Sequence, residues 1–289
     1  MNYIIRVIQP SDSIHWQCFL EIAKGFSLAL KRLGYGGTLD LDRKESLEAN
    51  RVIIFNAQAL SPNVIIPESA ILFNAEQIPF FPGPTGAAWT EYVKRLKRHI
   101  VWDYSIENVS RLLQYGVQAV HCPIGYYPEL SNIPPGDEDI DVVFAGSINP
   151  RRARILEELS WKGLIVKNIT AYGAERNRWL RRAKIILNVH FYENPIWEIA
   201  RVSHALANRK CVVSEDGGCD RDLETLAMTT TAYVPYAKIV DRCLELVRDD
   251  VSRKRIANQG FDTFSALDQT MFMRKAMEMT AIIAGPGGA

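Results

Sequence analysis

Cysteine is scarce and scattered in this sequence. The chain has five cysteines among 289 residues, and no two of them form a C-x-x-C pair. Disulfide frameworks and structural zinc sites depend on paired cysteines, so the pattern argues against both. The start, MNYIIRVIQPSDS, lacks the long apolar region of a signal peptide, and no stretch is apolar for long enough to span a bilayer. We therefore expect a cytoplasmic protein without a transmembrane segment.

An excess of charge of one sign is also missing. The 34 lysines and arginines nearly balance the 33 aspartates and glutamates, which leaves a net charge of +1. This balance argues against a protein held on nucleic acid mainly by bulk charge. One predicted helix nevertheless carries the basic run YVKRLKRHI, which contains Lys94, Arg95, Lys97, Arg98 and His99. Most such runs are solvated faces, so we keep nucleic acid only as an alternative partner.

Several motifs of nucleotide-binding and hydrolytic enzymes are absent. No G-x-G-x-x-G follows a strand, which argues against a conventional nicotinamide or flavin site. No phosphate-loop motif G-x-x-x-x-G-K-[ST] occurs, and no G-x-S-x-G nucleophile elbow. These absences exclude the usual dinucleotide enzymes, phosphate-loop hydrolases and esterases.

Metal-binding patterns are weak. Asp40 and Asp42 have the D-x-D spacing of a divalent-metal clamp, but alternation in TLDLD equally places both on the solvent face of a strand. His190 has no second histidine at ligand spacing, so a hydrogen-bonded role is favoured for it. We expect no metal site and no bound cofactor.

What the sequence does contain is a regular alternation of β-branched strands and amphipathic helices, typical of α/β proteins with parallel sheets. The segment YYPELSNIPPGDED is rich in proline, glycine and acids, and it separates two such alternations. We predict a domain over 1–135 and a second over 136–289, whose last helix can pack back on the first. Two Rossmann-like parallel-sheet domains would then face a cleft, with ligands beyond the carboxyl ends of the strands.

Polar residues cluster at the predicted strand ends of the second half. Gly146 and Ser147 form a turn before a helix that opens with Asn149 and Pro150, a pattern that favours anion binding at the helix start. Arginines next to such a start add charge-assisted contacts. A solvated basic helix start is the alternative interpretation. The polar residues selected as candidates in this half are Gly146, Ser147, Arg152, Asn188, His190, Glu198, Arg201 and His204.

Three segments of the second half resemble the C-terminal domain of GT-B-fold glycosyltransferases, in particular group-1-like enzymes of the spore-maturation type. They are DVVFAGSINPRRARILEEL, AKIILNVHF and ARVSHALANRKCVVSED. The resemblance covers about residues 140 to 265 and implies that the eight candidates bind a nucleotide-sugar donor. Arg201 stands at the family's arginine position, which implies contact with the donor diphosphate. His204 stands where the family has a ribose-binding glutamate, and a histidine can also bond a ribose hydroxyl. A buried Arg–Glu–His cluster that ties the helix to its loop is the alternative.

The first half would supply the acceptor side and a general base. Glu76, Asp103 and His15 lie at or just beyond predicted strand ends, and Glu76 is the preferred candidate. Each of them has a structural alternative as a cap or a buried hydrogen-bond partner. Phe80, Phe81 and Trp89 follow Glu76 and can either stack on sugar rings or pack against the core.

The predicted function is therefore metal-independent transfer of a sugar from a nucleotide-diphosphate sugar to a hydroxyl acceptor, which the sequence does not identify. Positive side chains and helix starts would stabilise the leaving diphosphate. Two alternatives stay open. One is a non-catalytic nucleotide-sugar-binding module in glycan assembly, and the other is a nucleic-acid base glycosyltransferase.

Overall fold

The computed structural model describes residues 2–41, 51–192 and 195–284. The chain forms two compact units. Unit 1 comprises Met1–Tyr127 together with Asp268–Ala289, and unit 2 comprises Pro128–Leu267. The boundary predicted at residue 135 thus lies inside unit 2.

Unit 1 is a Rossmann-like layer of parallel strands and helices. Its sheet has the strand order β2-β1-β3-β4-β5-β6, and all neighbours are parallel. The strands are buried almost throughout, since helices cover a parallel sheet on both faces. The strands are β1 Asn2–Val7, β2 Gly36–Asp40, β3 Arg51–Phe55, β4 Ile71–Asn74, β5 Ile100–Asp103 and β6 Ala119–His121, and the helices are α1 Leu20–Arg32, α2 Ala87–Leu96 and α3 Ile106–Gln114.

Unit 2 repeats this architecture with five parallel strands in the order β11-β10-β9-β7-β8. Its core packs side chains of the central strands, such as Phe144 and Leu187, against the flanking helices. The strands are β7 Ile140–Ala145, β8 Val166–Ile169, β9 Ala183–Asn188, β10 Cys211–Glu215 and β11 Ala232–Val234, and the helices are α4 Pro150–Trp161, α5 Gly173–Arg182, α6 Ile199–Ala207, α7 Arg221–Thr230, α8 Ile239–Arg248 and α9 Asp250–Ser265.

The last helix, α10 (Gln269–Ala284), belongs to unit 1 and packs on α1. Trp102 of β5 donates a hydrogen bond from Nε1 to Thr280 Oγ1 at 2.8 Å, and both side chains are buried. The chain therefore returns to the first sheet after completing the second.

The segment predicted as a linker is tied to unit 2. Ser131 Oγ donates to the Ala207 carbonyl oxygen at 2.6 Å, and the Ile133 amide donates to Asn208 Oδ1 at 2.7 Å. Asn208 Nδ2 in turn donates to the Leu130 carbonyl oxygen at 2.9 Å. These bonds order residues 130–133 of the segment against the end of α6.

Two further expectations can be compared with the structure. All five cysteines are free thiols. Within the described ranges, no helix has the length and apolar character needed to cross a bilayer.

Candidate functional site

The turn after β7 brings a guanidinium against the backbone. Gly146 has φ +153°, and a Cβ at this position would collide with Arg201 Nη1. The same Nη1 donates a hydrogen bond to the Ala145 carbonyl oxygen at the end of β7. Glycine is required here both by the backbone conformation and by the close approach of Arg201 from α6.

The amino terminus of α4 follows this turn and is capped as the sequence predicts. Asn149 Oδ1 accepts a hydrogen bond from the Arg152 amide at 2.9 Å, and Pro150 occupies the first helical turn. Asn149 Nδ2 also donates to the Phe191 carbonyl oxygen at 2.9 Å. The cap thus ties the loop after β7 to the loop after β9.

Arg152 lies beneath the site rather than at its surface, with a side chain only 1% exposed. Its nitrogens donate to the carbonyl oxygens of Val189 and Ser147 at 2.8 and 2.9 Å, and to Glu198 Oε1 at 2.9 Å. Desolvation by burial lowers the pKa of Arg152 to about 10, and the charge of Glu198 opposes this shift. Each of the three guanidinium nitrogens of this buried side chain donates to a protein oxygen, so Arg152 has the geometry of a positioning residue.

Replacing Arg152 by methionine should destabilise unit 2 by about 3–5 kcal/mol, because Glu198 and two carbonyl groups lose a buried cationic partner. Thermal unfolding should show this as a decrease in Tm on the order of 10 °C. Arg154→Met is the matched control, because Arg154 is an exposed arginine on the same helix. Equal Tm shifts for the two variants would contradict the assignment.

Glu198 and His190 form the centre of the cluster. Glu198 is the N-cap of α6, which begins at Ile199. Its Oε1 accepts from Arg152 and, at 3.4 Å, from Arg201 Nη2, while its Oε2 lies 3.8 Å from His190 Nδ1. Burial lowers the pKa of His190 below its ordinary value, although Glu198 and Glu215 oppose this shift. The imidazole is therefore neutral at pH 7 and has one donor and one acceptor nitrogen.

Five buried polar atoms at this edge of the sheet have no hydrogen-bond partner among the described residues. They are His190 Nδ1 and Nε2, Glu198 Oε2, Arg201 Nε and Asn188 Oδ1. Leaving a buried polar atom unpaired costs about 1–3 kcal/mol, so native proteins contain few of them. A group of five, with both donors and acceptors, is suited to pair with a polar ligand.

Glu215 and Arg151 also belong to the site, although neither was a candidate from the sequence. Glu215, the last residue of β10, accepts hydrogen bonds from the Arg151 guanidinium and, at 2.9 Å, from the His190 amide. The Arg151 guanidinium lies 4.0 Å from the centroid of the Tyr236 ring. The sequence feature that could have identified Glu215 is its position as the acidic residue at the end of the predicted strand CVVSE.

Ser214 connects two further side chains of this edge. Asn188 Nδ2 donates to Ser214 Oγ at 3.2 Å, and Trp197 Nε1 donates to the same oxygen at 3.0 Å. Ser147, the remaining donor-side candidate, is exposed beside Gly146. Seven of the eight candidates are thus connected through the ends of β7 and β9, and His204 is the exception.

His204 belongs to a different set of contacts, so Glu198, Arg201 and His204 do not act as one cluster. Its Nδ1 accepts from Arg176 Nη2 at 2.9 Å, and its Nε2 pairs with Asn132 Oδ1 at 3.2 Å. Desolvation lowers the pKa of His204 to about 3, and the charge of Arg176 acts in the same direction. The residue ties α6 to α5 and to the segment that enters unit 2.

The low pKa of His204 predicts a pH-dependent stability. In the unfolded chain the imidazole titrates near its ordinary value of 6.5, so between about pH 6.5 and 3 only the unfolded state is protonated. The unfolding free energy should therefore fall by about 1.4 kcal/mol per pH unit through this window from His204 alone. Urea unfolding at pH 7 and pH 5 should show a loss about 2 kcal/mol smaller in His204→Gln than in wild type. Identical losses would contradict the buried neutral state.

Of the predicted bases in unit 1, Asp103 is fully buried at the end of β5. Its carboxylate accepts hydrogen bonds from Asn74 Nδ2, the Ser105 amide and Asn108 Nδ2 at 2.5, 2.8 and 3.1 Å. A carboxylate with this burial and these donors is a structural acceptor, so the structural alternative describes Asp103 better than the role of base.

Glu76 and His15 both reach the surface of unit 1. Glu76 Oε1 accepts from Gln58 Nε2 at 2.7 Å, and desolvation raises the pKa of Glu76 despite this hydrogen bond. The backbone of Glu76 is held from both sides, since its carbonyl oxygen accepts from Asn74 Nδ2 and from Asn108 Nδ2. His15 lies at the start of a 3₁₀ turn, where its amide donates to Ser13 Oγ at 3.1 Å. Glu76 thus reaches the surface while enough of its carboxyl group is shielded from water to raise its pKa.

The basic run YVKRLKRHI does not form one helix. Helix α2 ends at Leu96, so Lys94 and Arg95 lie in the helix and the remaining basic residues follow it. Arg95 is buried and donates to three carbonyl oxygens, those of Ala57, Leu60 and Ser61. The exposed basic side chains of the run are Lys94, Lys97 and Arg98.

The structure describes only the first aspartate of the D-x-D motif that was considered as a divalent-metal clamp. The Asp40 carboxylate is buried and ion-paired with Arg6, and Asp42 lies outside the described residues. A search of the described ranges finds no group of three or more acidic, histidine or cysteine side chains arranged to hold a metal ion.

No protein-family model matches the sequence. Two relatives are uncharacterized proteins of Acanthamoeba polyphaga mimivirus. Protein L140 is 26% identical over 247 residues, which is 82% of this chain and 78% of that protein. Protein R358 is 30% identical over 153 residues, about half of each chain.

Solved structures share the architecture over almost the whole chain. HepE of Anabaena, determined with UDP and glucose, is similar with a TM-score of 0.66 at 12% identity, over 97% of this chain and 99% of that one. A DNA-modifying β-glucosyltransferase, studied with and without its substrate uridine diphosphoglucose, has a TM-score of 0.58 at 12% identity, over 97% and 98%. A glycosyltransferase of Rickettsia africae has a TM-score of 0.58 at 13% identity, over 99% of both chains.

These similarities define the class of the fold. The chain has two Rossmann-like units of parallel sheet and helices and matches the GT-B glycosyltransferase structures, as the sequence predicted.

Proposed function

We propose that this protein is a glycosyltransferase that uses a nucleotide-diphosphate sugar as donor and a hydroxyl group as acceptor. The observation that carries the proposal is the group of five buried polar atoms around His190, Glu198 and Arg201 that lack a hydrogen-bond partner among the described residues. In open parallel sheets, ligands bind beyond the carboxyl ends of the strands, where this group lies. Similar GT-B structures contain UDP or UDP-glucose, which supports a UDP-sugar as the first donor to test.

The reaction needs no bound cofactor in this proposal. The bond between the sugar C1 and the β-phosphate oxygen breaks, and both electrons leave with the nucleoside diphosphate. A new bond forms between C1 and the acceptor oxygen, whose proton passes to a base. Arg201 and the amino terminus of α4 would stabilise the negative charge on the leaving diphosphate without a metal ion.

Each residue of the site has a role in this scheme. His190, as a neutral imidazole, would both donate to and accept from the donor sugar or ribose, and Glu198 would orient Arg201. Arg152 would hold Glu198 in place from below. Glu76 of unit 1 would accept the proton of the acceptor hydroxyl, since its raised pKa makes it a stronger base than an ordinary glutamate.

The donor assignment can be tested with a panel of UDP-, GDP- and dTDP-sugars. We expect UDP to raise Tm, and slow release of nucleoside diphosphate from one donor in the absence of any acceptor. Parallel reactions with EDTA and with added Mg²⁺ would test the metal independence. Failure of every nucleoside diphosphate to shift Tm would refute the proposal. Binding without turnover, even with candidate acceptors present, would identify a non-catalytic binding module.

A narrower proposal follows from the sequence segments quoted above, namely that the protein is a group-1-like enzyme of the spore-maturation type. One observation instead favours transfer to a nucleic-acid base. Three basic side chains in and just after the last turn of α2 are exposed, namely those of Lys94, Lys97 and Arg98. Filter binding of duplex DNA that is lost in a triple alanine variant of these residues would support that second candidate.

A further inference from the structure

Two adjacent phenylalanines are displayed on the surface of unit 1 by the loop that follows β4. Phe80 is 55% exposed and Phe81 is 57% exposed. We call residues 76–83 the aromatic loop. It begins at Glu76, the proposed base. Adjacent exposed large apolar side chains often mark a binding surface, whereas single ones are common on any protein.

The aromatic loop is held in place by α3. Asn108 donates to the Glu76 carbonyl oxygen and accepts from the Ile78 amide, at 2.8 and 2.9 Å. Arg111 Nη1 donates to the Ile78 carbonyl oxygen at 2.6 Å, and Tyr115 Oη donates to the Phe80 carbonyl oxygen at 3.0 Å. Buried side chains supply most of these bonds, so the loop is ordered before any ligand arrives.

The two rings themselves are also supported. The Arg111 guanidinium lies 3.8 Å from the centroid of the Phe80 ring. Phe81 packs edge-on against Tyr115, with centroids 5.2 Å apart, and Tyr115 packs in the same manner against Trp89 at 5.4 Å. A Cβ at Gly83 would collide with Tyr115 Oη, so the loop backbone packs closely against the hydroxyl end of Tyr115. One side of each phenylalanine is thus buried while more than half of it stays exposed.

The charges around the aromatic loop favour an uncharged ligand. Arg111 is buried, and its Nε donates to Glu107 Oε1 at 2.8 Å, so its charge is compensated. Glu76, four residues before Phe80 on the same loop, adds a carboxylate, which repels phosphate groups. An apolar ring face on the same loop as a carboxylate suits a pyranose, whose C–H groups can lie on the aromatic ring while its hydroxyls bond the carboxylate.

We propose that Phe80 and Phe81 form a stacking platform for a neutral pyranose ring of the acceptor, which makes the acceptor a saccharide. The inference rests on the proposed function for its role in transfer, but the binding itself can be measured without a donor. The platform places an acceptor ring on the same anchored loop as Glu76.

Saturation-transfer NMR on the full chain can test this with the methyl glycosides of glucose, galactose, mannose and N-acetylglucosamine. We expect transfer from the protein to the ring C–H protons of at least one glycoside. Phe80→Ala/Phe81→Ala should reduce that signal about tenfold, whereas Phe80→Tyr/Phe81→Tyr should retain it because the ring faces are kept. Trp161→Ala is the matched control, since it removes an 82% exposed aromatic side chain from unit 2. UDP binding, measured in parallel, should be equal in all four proteins.

The outcomes separate the two proposals. No signal from any glycoside in wild type, or a signal unchanged by the double alanine variant, overturns the platform even if UDP binds. Binding of a thymidine 12-mer that is lost in the same variant overturns the saccharide assignment in favour of nucleic acid. Failure of UDP binding in wild type, with the glycoside signal intact, overturns the proposed function and leaves the platform.

Discussion

Replacing Arg201 by alanine is expected to weaken the binding of uridine diphosphate about 100-fold while the chain stays folded. The reason is that the guanidinium is held at the end of β7 by Ala145 and Glu198, and its buried Nε has no hydrogen-bond partner among the described residues. Loss of one charged partner of a desolvated phosphate contact costs on the order of 2–5 kcal/mol. Isothermal titration calorimetry with UDP and, separately, GDP would measure the change.

Two controls make this result interpretable. Arg248→Ala removes an exposed arginine from the same unit and should leave the affinity for UDP unchanged. Gly146→Val leaves Arg201 in the sequence but displaces its guanidinium from the β7 end, and it should reproduce most of the loss. A large decrease in the Tm of Arg201→Ala would instead support a purely structural ion-pair cluster.

Replacing Glu76 by glutamine should lower kcat for sugar transfer about 1000-fold, with the Kd for UDP unchanged, because general base catalysis contributes roughly 10²–10⁴ to such rates. The wild-type rate should rise with pH through the pKa of Glu76, since only the carboxylate accepts a proton. Desolvation raises the pKa of Glu76, so this limb should lie above the ordinary range of a glutamate. Steady-state kinetics from pH 4 to 9 would measure both effects.

The pH profile distinguishes catalysis from structure at this position. Glu76→Gln should remove the acidic limb of the profile, whereas Glu68→Gln, at another exposed glutamate of unit 1, should retain both limb and rate. Asp103→Asn should mainly lower stability, because Asp103 is buried and fully engaged with Asn74, Ser105 and Asn108. A transfer rate in Glu76→Gln within a few-fold of wild type would remove Glu76 from the mechanism.

Some features of the site follow from local sequence, whereas others depend on tertiary contacts. The capped start of α4 was predictable, because Asn149 and Pro150 act through contacts within one turn of that helix. The positioning role of Arg152 was not predictable from the sequence, because two of its hydrogen-bond partners, Val189 and Glu198, lie 37 and 46 residues away in the chain. A single buried cluster of Glu198, Arg201 and His204 was also an alternative from the sequence. The structure separates them, because α6 begins only at Ile199 and His204 meets Arg176 and Asn132 instead.

The sequence by itself determined the class of fold and the strand ends that carry polar residues. Those properties depend on short-range periodicity and on the burial of parallel strands on both faces. Tertiary structure decided which polar residues share a site. It joined Glu215 and Arg151 to His190, buried Asp103 and left Glu76 and the two phenylalanines at the surface. Hydrogen-bond partners and solvent exposure depend on residues far apart in the chain, and no local pattern records them.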